Sequence, residues 1–139
     1  MKTDTNLLVE SLDYKETLAR VARLAVPTIA DFCLVNLLDD KRELQCIEAV
    51  HSDPEKLPLV RELGEMVREL PRSDILGLVY NEGRSLLKAE VEPEFLREIA
   101  GTREQLRVLE AVRMRSLISV PIRGRSGAYG VLIFAMADS

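Results

Sequence analysis

Ser116-Leu-Ile-Ser-Val-Pro-Ile-Arg-Gly-Arg-Ser-Gly-Ala-Tyr-Gly-Val-Leu-Ile-Phe-Ala-Met136 is the stretch whose reading decides the fold. Two apolar runs flank a glycine-rich turn, the signal of a β-hairpin. Both runs are apolar at most positions and not only at alternate ones. Strands of that kind are covered on both faces, which predicts a hairpin in the middle of a sheet. Pro121 removes a ladder donor and needs an edge, a bulge or an outward amide, and Gly130 admits a close neighbour.

Working outward, the preceding segment is helical. Thr102-x-x-Gln105 reads as a capping box for a helix to Val112 that buries Leu106, Leu109 and Val112. Pro93 to Ala100 reads as another short helix, and Ser85 to Lys88 as a short strand. Ser73 or Asp74 caps a helix over Ile75 to Glu82 that Gly83 ends. Asp53-Pro54 opens an amphipathic helix carrying Leu59, Val60, Leu63, Met66, Val67 and Leu70, which stops at Pro71. Phe32 to Leu38 and Leu44 to His51 form a second hairpin around Asp-Asp-Lys-Arg-Glu. A turn centred near Lys41 sets Asn36 opposite Cys46 and Leu34 opposite Glu48. One face then carries Phe32, Leu34, Asn36, Cys46 and Glu48, the other Cys33, Val35, Leu37, Ile47 and Ala49, and a one-residue slip would exchange them. Glu48 marks the second strand as a sheet edge. A leading helix is capped by Asp13 with Glu16, shows one face through Tyr14, Leu18, Val21, Ala22 and Ala25, and ends at Pro27. Leu7, Leu8 and Leu24 are left over for ordinary packing or for a second copy of the chain.

Strand pairs joined by short turns are antiparallel. The long helical excursion covers one sheet face and the leading helix the other. The expectation is an α+β chain, a three-layer α/β/α sandwich around a mostly antiparallel sheet of five or six strands. It reads as a single domain over residues 1–139, with an N-terminal helical segment over 1–30, a sheet over 31–139 and the excursion over 52–113.

Composition bounds the function. The chain has 139 residues, 47% apolar and 30% charged, with a net charge of −4, as an ordinary globular domain does. No run approaches the roughly 20 apolar residues of a membrane span. The N-terminus lacks the apolar core of a signal peptide, so the cytoplasm is the expected compartment. Residues 97 to 125 hold seven Arg and three acids. Arg103, Arg107, Arg113, Arg115, Arg123 and Arg125 could form a basic face but read as a solvated surface with Glu104 and Glu110 interleaved, because nucleic-acid binders usually show a stronger basic excess, often with interleaved aromatics, and this segment has none. Cys33 and Cys46 sit in apolar runs as small hydrophobes, and with His51 they lack zinc-ligand spacing. No nucleophile, base and orienter form a set.

At this point the residues resemble a family, the GAF domain, a small-molecule sensor and dimerisation module of signalling proteins. The resemblance rests on Leu12-Asp-Tyr-Lys-Glu-Thr-Leu-Ala-Arg-Val-Ala22, on Phe32 to Val50, and on Arg115-Ser-Leu-Ile-Ser-Val-Pro-Ile122 with Tyr129-Gly-Val-Leu-Ile-Phe134. The wording is most similar to GAF modules of bacterial sensor histidine kinases and related signalling phosphatases. The resemblance implies a sensory, non-enzymatic module in a longer parent chain with a kinase or phosphatase output domain, a homodimer, a possible small-molecule ligand, and neither nucleic-acid binding nor membrane insertion. Asn36, Cys46, Ser73, Asp74, Tyr80 and Tyr129 are the candidate ligand-binding residues. Each also has a plain structural role: capping for Ser73 and Asp74, core packing for the tyrosines, a loop-backbone partner for Asn36. Pro71-Arg-Ser-Asp-Ile75 resembles the bilin-contacting motif of phytochrome-type members. No Cys or His lies between Pro54 and Ser139, so no covalent bilin is expected, and no other cofactor is assigned. The alternatives are a ligand-free dimerisation spacer and a small thiol redox enzyme using Cys33 or Cys46.

Overall fold

In the computed structural model, which describes residues 15–71, 79, 83–124 and 127–138, the leading helix α1 spans residues 15–25. Strands β1 (Phe32–Leu38) and β2 (Leu44–His51) follow. Helix α2 (Leu57–Met66) is framed by 3-10 turns at Pro54–Lys56 and Val67–Glu69. Then come β3 (Leu86–Lys88), α3 (Pro93–Ile99), α4 (Arg103–Ala111), β4 (Met114–Gly124) and β5 (Gly127–Ala137). The sheet order is β2-β1-β5-β4-β3, and every pairing is antiparallel. The α+β architecture is therefore as expected, with five strands among the described residues.

The closing hairpin places β5 at the centre of the sheet, while β4 stands between β5 and the three-residue β3. β3 reaches no further along β4 than Ser119. Pro121 lies beyond that point, where its missing N–H leaves no ladder bond to β3 unmade. β2 is the opposite edge, as Glu48 suggested.

Two apolar layers cover the sheet. Phe32, Leu34, Leu44 and Ala135 pack beneath α2, α3 and α4 through Val60, Leu63, Phe95, Ile99, Val108 and Leu109. Cys33, Val35, Leu37 and Ile122 pack beneath the leading segment through Ala22, Val26 and Ala30. The helix faces differ in detail from those predicted. Val21 is 40% exposed and Val26 is buried instead, and α4 buries Val108 while Leu106 is only half-buried. The Thr102–Gln105 capping box is present. Gln105 is itself buried; its amide also donates to the Glu69 carbonyl at 3.2 Å, tying α4 to the end of the α2 segment.

The first hairpin corrects the face assignment. Asn36 does face Cys46, but Leu34 pairs with Ala49 and Val35 with Glu48. One extra residue in β2 makes a bulge at this point, and a bulge reverses the faces beyond it. Ala49 therefore joins the layer under α2, while Glu48 turns to the α1 face and pairs with Arg23. The helix predicted over Ile75 to Glu82 is described only at Val79, which is helical and buried. Leu7, Leu8, Asp13 and Tyr14 lie outside the described residues.

Candidate functional site

The layer under the excursion is not filled. A cavity of about 50 Å3 lies between the sheet and the helices. Its floor is Leu34, Val131, Ile133, Leu117 and Ser119, and its roof comes from α2, α3, α4 and Val79. The floor follows from strand alternation: Leu34 pairs with Ile133, and Ile133 with Ser119, so one row of the pleat points the same way. Ser119 is the one polar side chain in the described wall, and it is buried. An apolar hollow with a polar group is the usual make-up of a small-molecule site.

Asn36 belongs to this face. It lies two residues along β1 from Leu34, and its β5 partner is Val131; both of those residues line the cavity. Asn36 is 0% exposed, yet among the described residues neither its amide nitrogen nor its carbonyl oxygen has a hydrogen-bond partner. An unsatisfied buried polar group costs about 1–3 kcal/mol. Native proteins leave few such groups, and these two sit on one side chain.

Cys46 stands opposite Asn36 on β2, half-buried, with its thiol directed to the Glu48 carbonyl at 3.5 Å. Gly64 of α2 lets the helix settle on it: a Cβ there would lie 2.5 Å from the Cys46 sulfur. Burial pushes the Cys46 thiol pKa up. Burial, then the neighbouring Cys46 and Glu48, pushes Cys33 up to about 12. Both shifts disfavour the thiolate, against the reactive thiol that the redox-enzyme alternative needs. Among the described residues no group of His, Cys, Asp and Glu is placed to hold a metal ion.

Of the six residues singled out, the fold brings Asn36 and Cys46 together. Ser73, Asp74 and Tyr80 lie outside the described residues. Tyr129 is carried to the other side of the sheet, where it packs against the layer of Cys33, Val35 and Ile122. Plain alternation would put it beside Val131. The β4–β5 register shifts between Ile122, opposite Gly130, and Arg123, opposite Ala128, so Tyr129 is the extra residue of β5 at that point. The bulge turns it to the α1 face. Ser119 was not singled out, although it carries the same signal as Asn36: one polar residue inside an apolar run.

A second hollow, of about 500 Å3, lies on the opposite sheet face beside α1. Leu24, Ile29, Ile118, Val120, Phe134 and Met136 line it. Leu24 is 73% and Ile29 70% exposed, an apolar ridge standing over an apolar floor.

Solved structures share this fold. The GAF domain region of a protein from Geobacter sulfurreducens superposes with a TM-score of 0.61 at 12% identity, over 94% of this chain and 80% of that one. A domain ascribed to a two-component sensor histidine kinase of Sinorhizobium meliloti gives 0.55 at 11% identity, over 89% and 71%. A form of the Staphylococcus aureus NreA protein mutated in its nitrate-binding site gives 0.57 at 17% identity, over 94% and 88%. No family model matches the sequence, and no curated protein does. The fold is that of a GAF domain.

Proposed function

We propose that this chain is a sensory or regulatory module of a signalling protein whose cavity between sheet and excursion holds a small molecule. The observation that carries the reading is an unfilled apolar cavity between sheet and helices with the buried Ser119 in its described wall. Similar folds in a histidine kinase and in phosphotransferases support a signalling parent with its own output domain. Nitrate is the ligand named for NreA. The described cavity wall here holds no Lys or Arg, so a buried anion would lack a counter-charge, which favours a neutral ligand. No helix among the described residues is long and apolar enough to cross a membrane. The chain is read as cytoplasmic and non-enzymatic.

The ligand acts only if it binds two states of the module unequally. β4 and β5 floor both hollows. Leu117, Ser119 and Ile133 face the cavity, and Ile118, Val120 and Phe134 face the outer groove. A change in twist on one side therefore reaches the other through alternate residues of the same strands. The outer groove favours a second reading, a homodimerising spacer that binds nothing.

Native mass spectrometry of the purified protein, set against its denatured mass, separates the two. The sensor reading expects an added small mass that is lost on denaturation, or one acquired from a metabolite panel, and lost in Ser119→Leu, which fills the cavity. A bare dimer that ignores the panel supports the spacer and sinks the sensor.

A further inference from the structure

We infer that the ligand of this cavity is a small amine, its protonated head held in an acidic hollow at the cavity's edge and its short apolar tail inside. The inference rests on reading the cavity as a ligand site and names the class it takes. A hollow of about 330 Å3 lies between β3 and α3, lined by Leu86, Lys88, Glu92, Glu94, Phe95 and Glu98. Leu86 and Phe95 also line the inner cavity, so the two spaces share a wall. The arrangement follows from the elements. Leu86 and Lys88 flank Leu87 on β3, which turns both toward the excursion, opposite the floor residues Ser119 and Leu117. Phe95 is buried on the sheet side of α3, while Glu94 and Glu98, four residues apart, stand as exposed neighbours.

The charge of the outer hollow is one-sided. Glu92, Glu94 and Glu98 face one ammonium, and among the described residues none of the three is ion-paired. Lys88 rests instead with its Nζ 5.1 Å from the centroid of the Phe95 ring, so the shared wall already carries a cation on an aromatic face. An anion is repelled here, and a neutral group gains nothing from the carboxylates. An ammonium can take the Lys88 place on the ring with the glutamates around it. Inside, the described wall is apolar apart from Ser119, whose hydroxyl has no hydrogen-bond partner among the described residues. One polar group is too few to hold a water, which needs about two to four partners, so an apolar tail is the occupant that fits. The cavity is about 50 Å3. A cavity of about 150 Å3 accommodates benzene, which limits this tail to about two to four carbons. The charge stays in the open outer hollow, and only the neutral part of the ligand enters the cavity, where a bare charge would be costly.

Propylammonium, 1-propanol and propionate carry one tail on three heads, and NMR on the isotope-labelled protein at neutral pH compares them. Propylammonium is expected to shift the Phe95 ring signals together with the Leu34 and Val131 methyls. It is expected to bind about three- to tenfold more tightly than 1-propanol, the worth of a few exposed ion pairs, and propionate more weakly than either. The preference should shrink in about 1 M salt. Glu94→Gln combined with Glu98→Gln is expected to erase it, while xenon still shifts the Leu34 and Val131 methyls. Lys88→Met removes the competing ammonium and is expected to strengthen propylammonium about two- to fivefold. 1-Propanol binding as tightly as propylammonium, a preference that survives both glutamine changes, or a Lys88→Met protein that binds propylammonium no better overturns the amine assignment and leaves the cavity reading standing. So does propylammonium that shifts Phe95 but neither Leu34 nor Val131, which makes it a surface counter-ion only. Silence of Leu34 and Val131 toward all three probes and toward xenon removes the cavity as a ligand site altogether.

Discussion

Gly130 and Asn36 meet where β5 runs closest to β1. A Cβ at Gly130 would collide with the Asn36 carbonyl and stand 2.8 Å from the Leu37 Cα. Both obstacles are backbone, held by ladder pairs on either side, so neither can swing away. Gly130→Ala is expected to lower stability by roughly 1–3 kcal/mol or more, the cost of overpacking a rigid site. Gly64→Ala is the control: its Cβ would meet the Cys46 sulfur at 2.5 Å and Leu34 Cδ2 at 3.2 Å, side-chain atoms that can turn. Urea unfolding of the two variants checks this; a Gly130→Ala protein as stable as Gly64→Ala would refute the rigid approach. The need for glycine at position 130 was legible in the sequence because a glycine inside an apolar strand has few other reasons to be there. The lack of a partner for Asn36 was not legible. A polar residue in a strand announces a requirement, and only the packed fold shows whether another residue meets it.

At the scale of elements, local signals fixed what each segment is, and bulges fixed which way it faces. The Thr102 capping box, the proline-marked helix starts and the glycine-rich hairpin turn are short-range chemistry, and each was readable. The extra residue in β2 opposite Val35 and Asn36, and the extra residue Tyr129 in β5, were not. Each shifts a register by one, and one residue is enough to carry Glu48 and Tyr129 across the sheet. The junction from β2 to the first 3-10 turn carries a pH prediction. His51 stacks on Phe32 with ring centroids 5.8 Å apart, and its Nδ1 accepts the Asp53 N–H at 2.9 Å. Burial, and then the nearby Lys56, lower its pKa below 6.5. The folded state therefore binds the proton less readily than the unfolded chain. The contribution is fully present above about pH 6.5 and is lost as pH falls from there through the lower folded pKa. Thermal melts between neutral and mildly acidic pH are expected to show the midpoint falling in that window, and His51→Gln to flatten that part of the curve. An unchanged slope in His51→Gln would assign the effect to another group.

For the whole molecule, the two sheet faces are finished to different degrees. The described helices of the excursion cover their face and leave a small cavity beneath, whereas α1 spans residues 15–25 and leaves the outer side of β4 open. The exposed ridge of Leu24 and Ile29 and the floor of Ile118 and Met136 lie on one patch, so a two-fold copy could set its ridge into the other's groove. That is the self-complementary arrangement a symmetric dimer requires. Leu24→Glu and Ile29→Glu place a charge on the ridge without touching a buried residue, so folding should survive and self-association should weaken by about tenfold or more, the usual cost of burying an unpaired charge at an interface. Sedimentation equilibrium over a concentration series reads the change. If wild type and both variants are equally monomeric, the groove is not a contact between copies. If the wild type dimerises and the variants do not, the same experiment under xenon, an apolar probe of the cavity, tests the coupling: β4 and β5 floor both hollows, so filling the cavity should shift the dimer constant, and by linkage dimerisation should shift xenon affinity by the same factor. A dimer constant indifferent to bound xenon would leave a dimer and a cavity on one sheet with no signal passing between them.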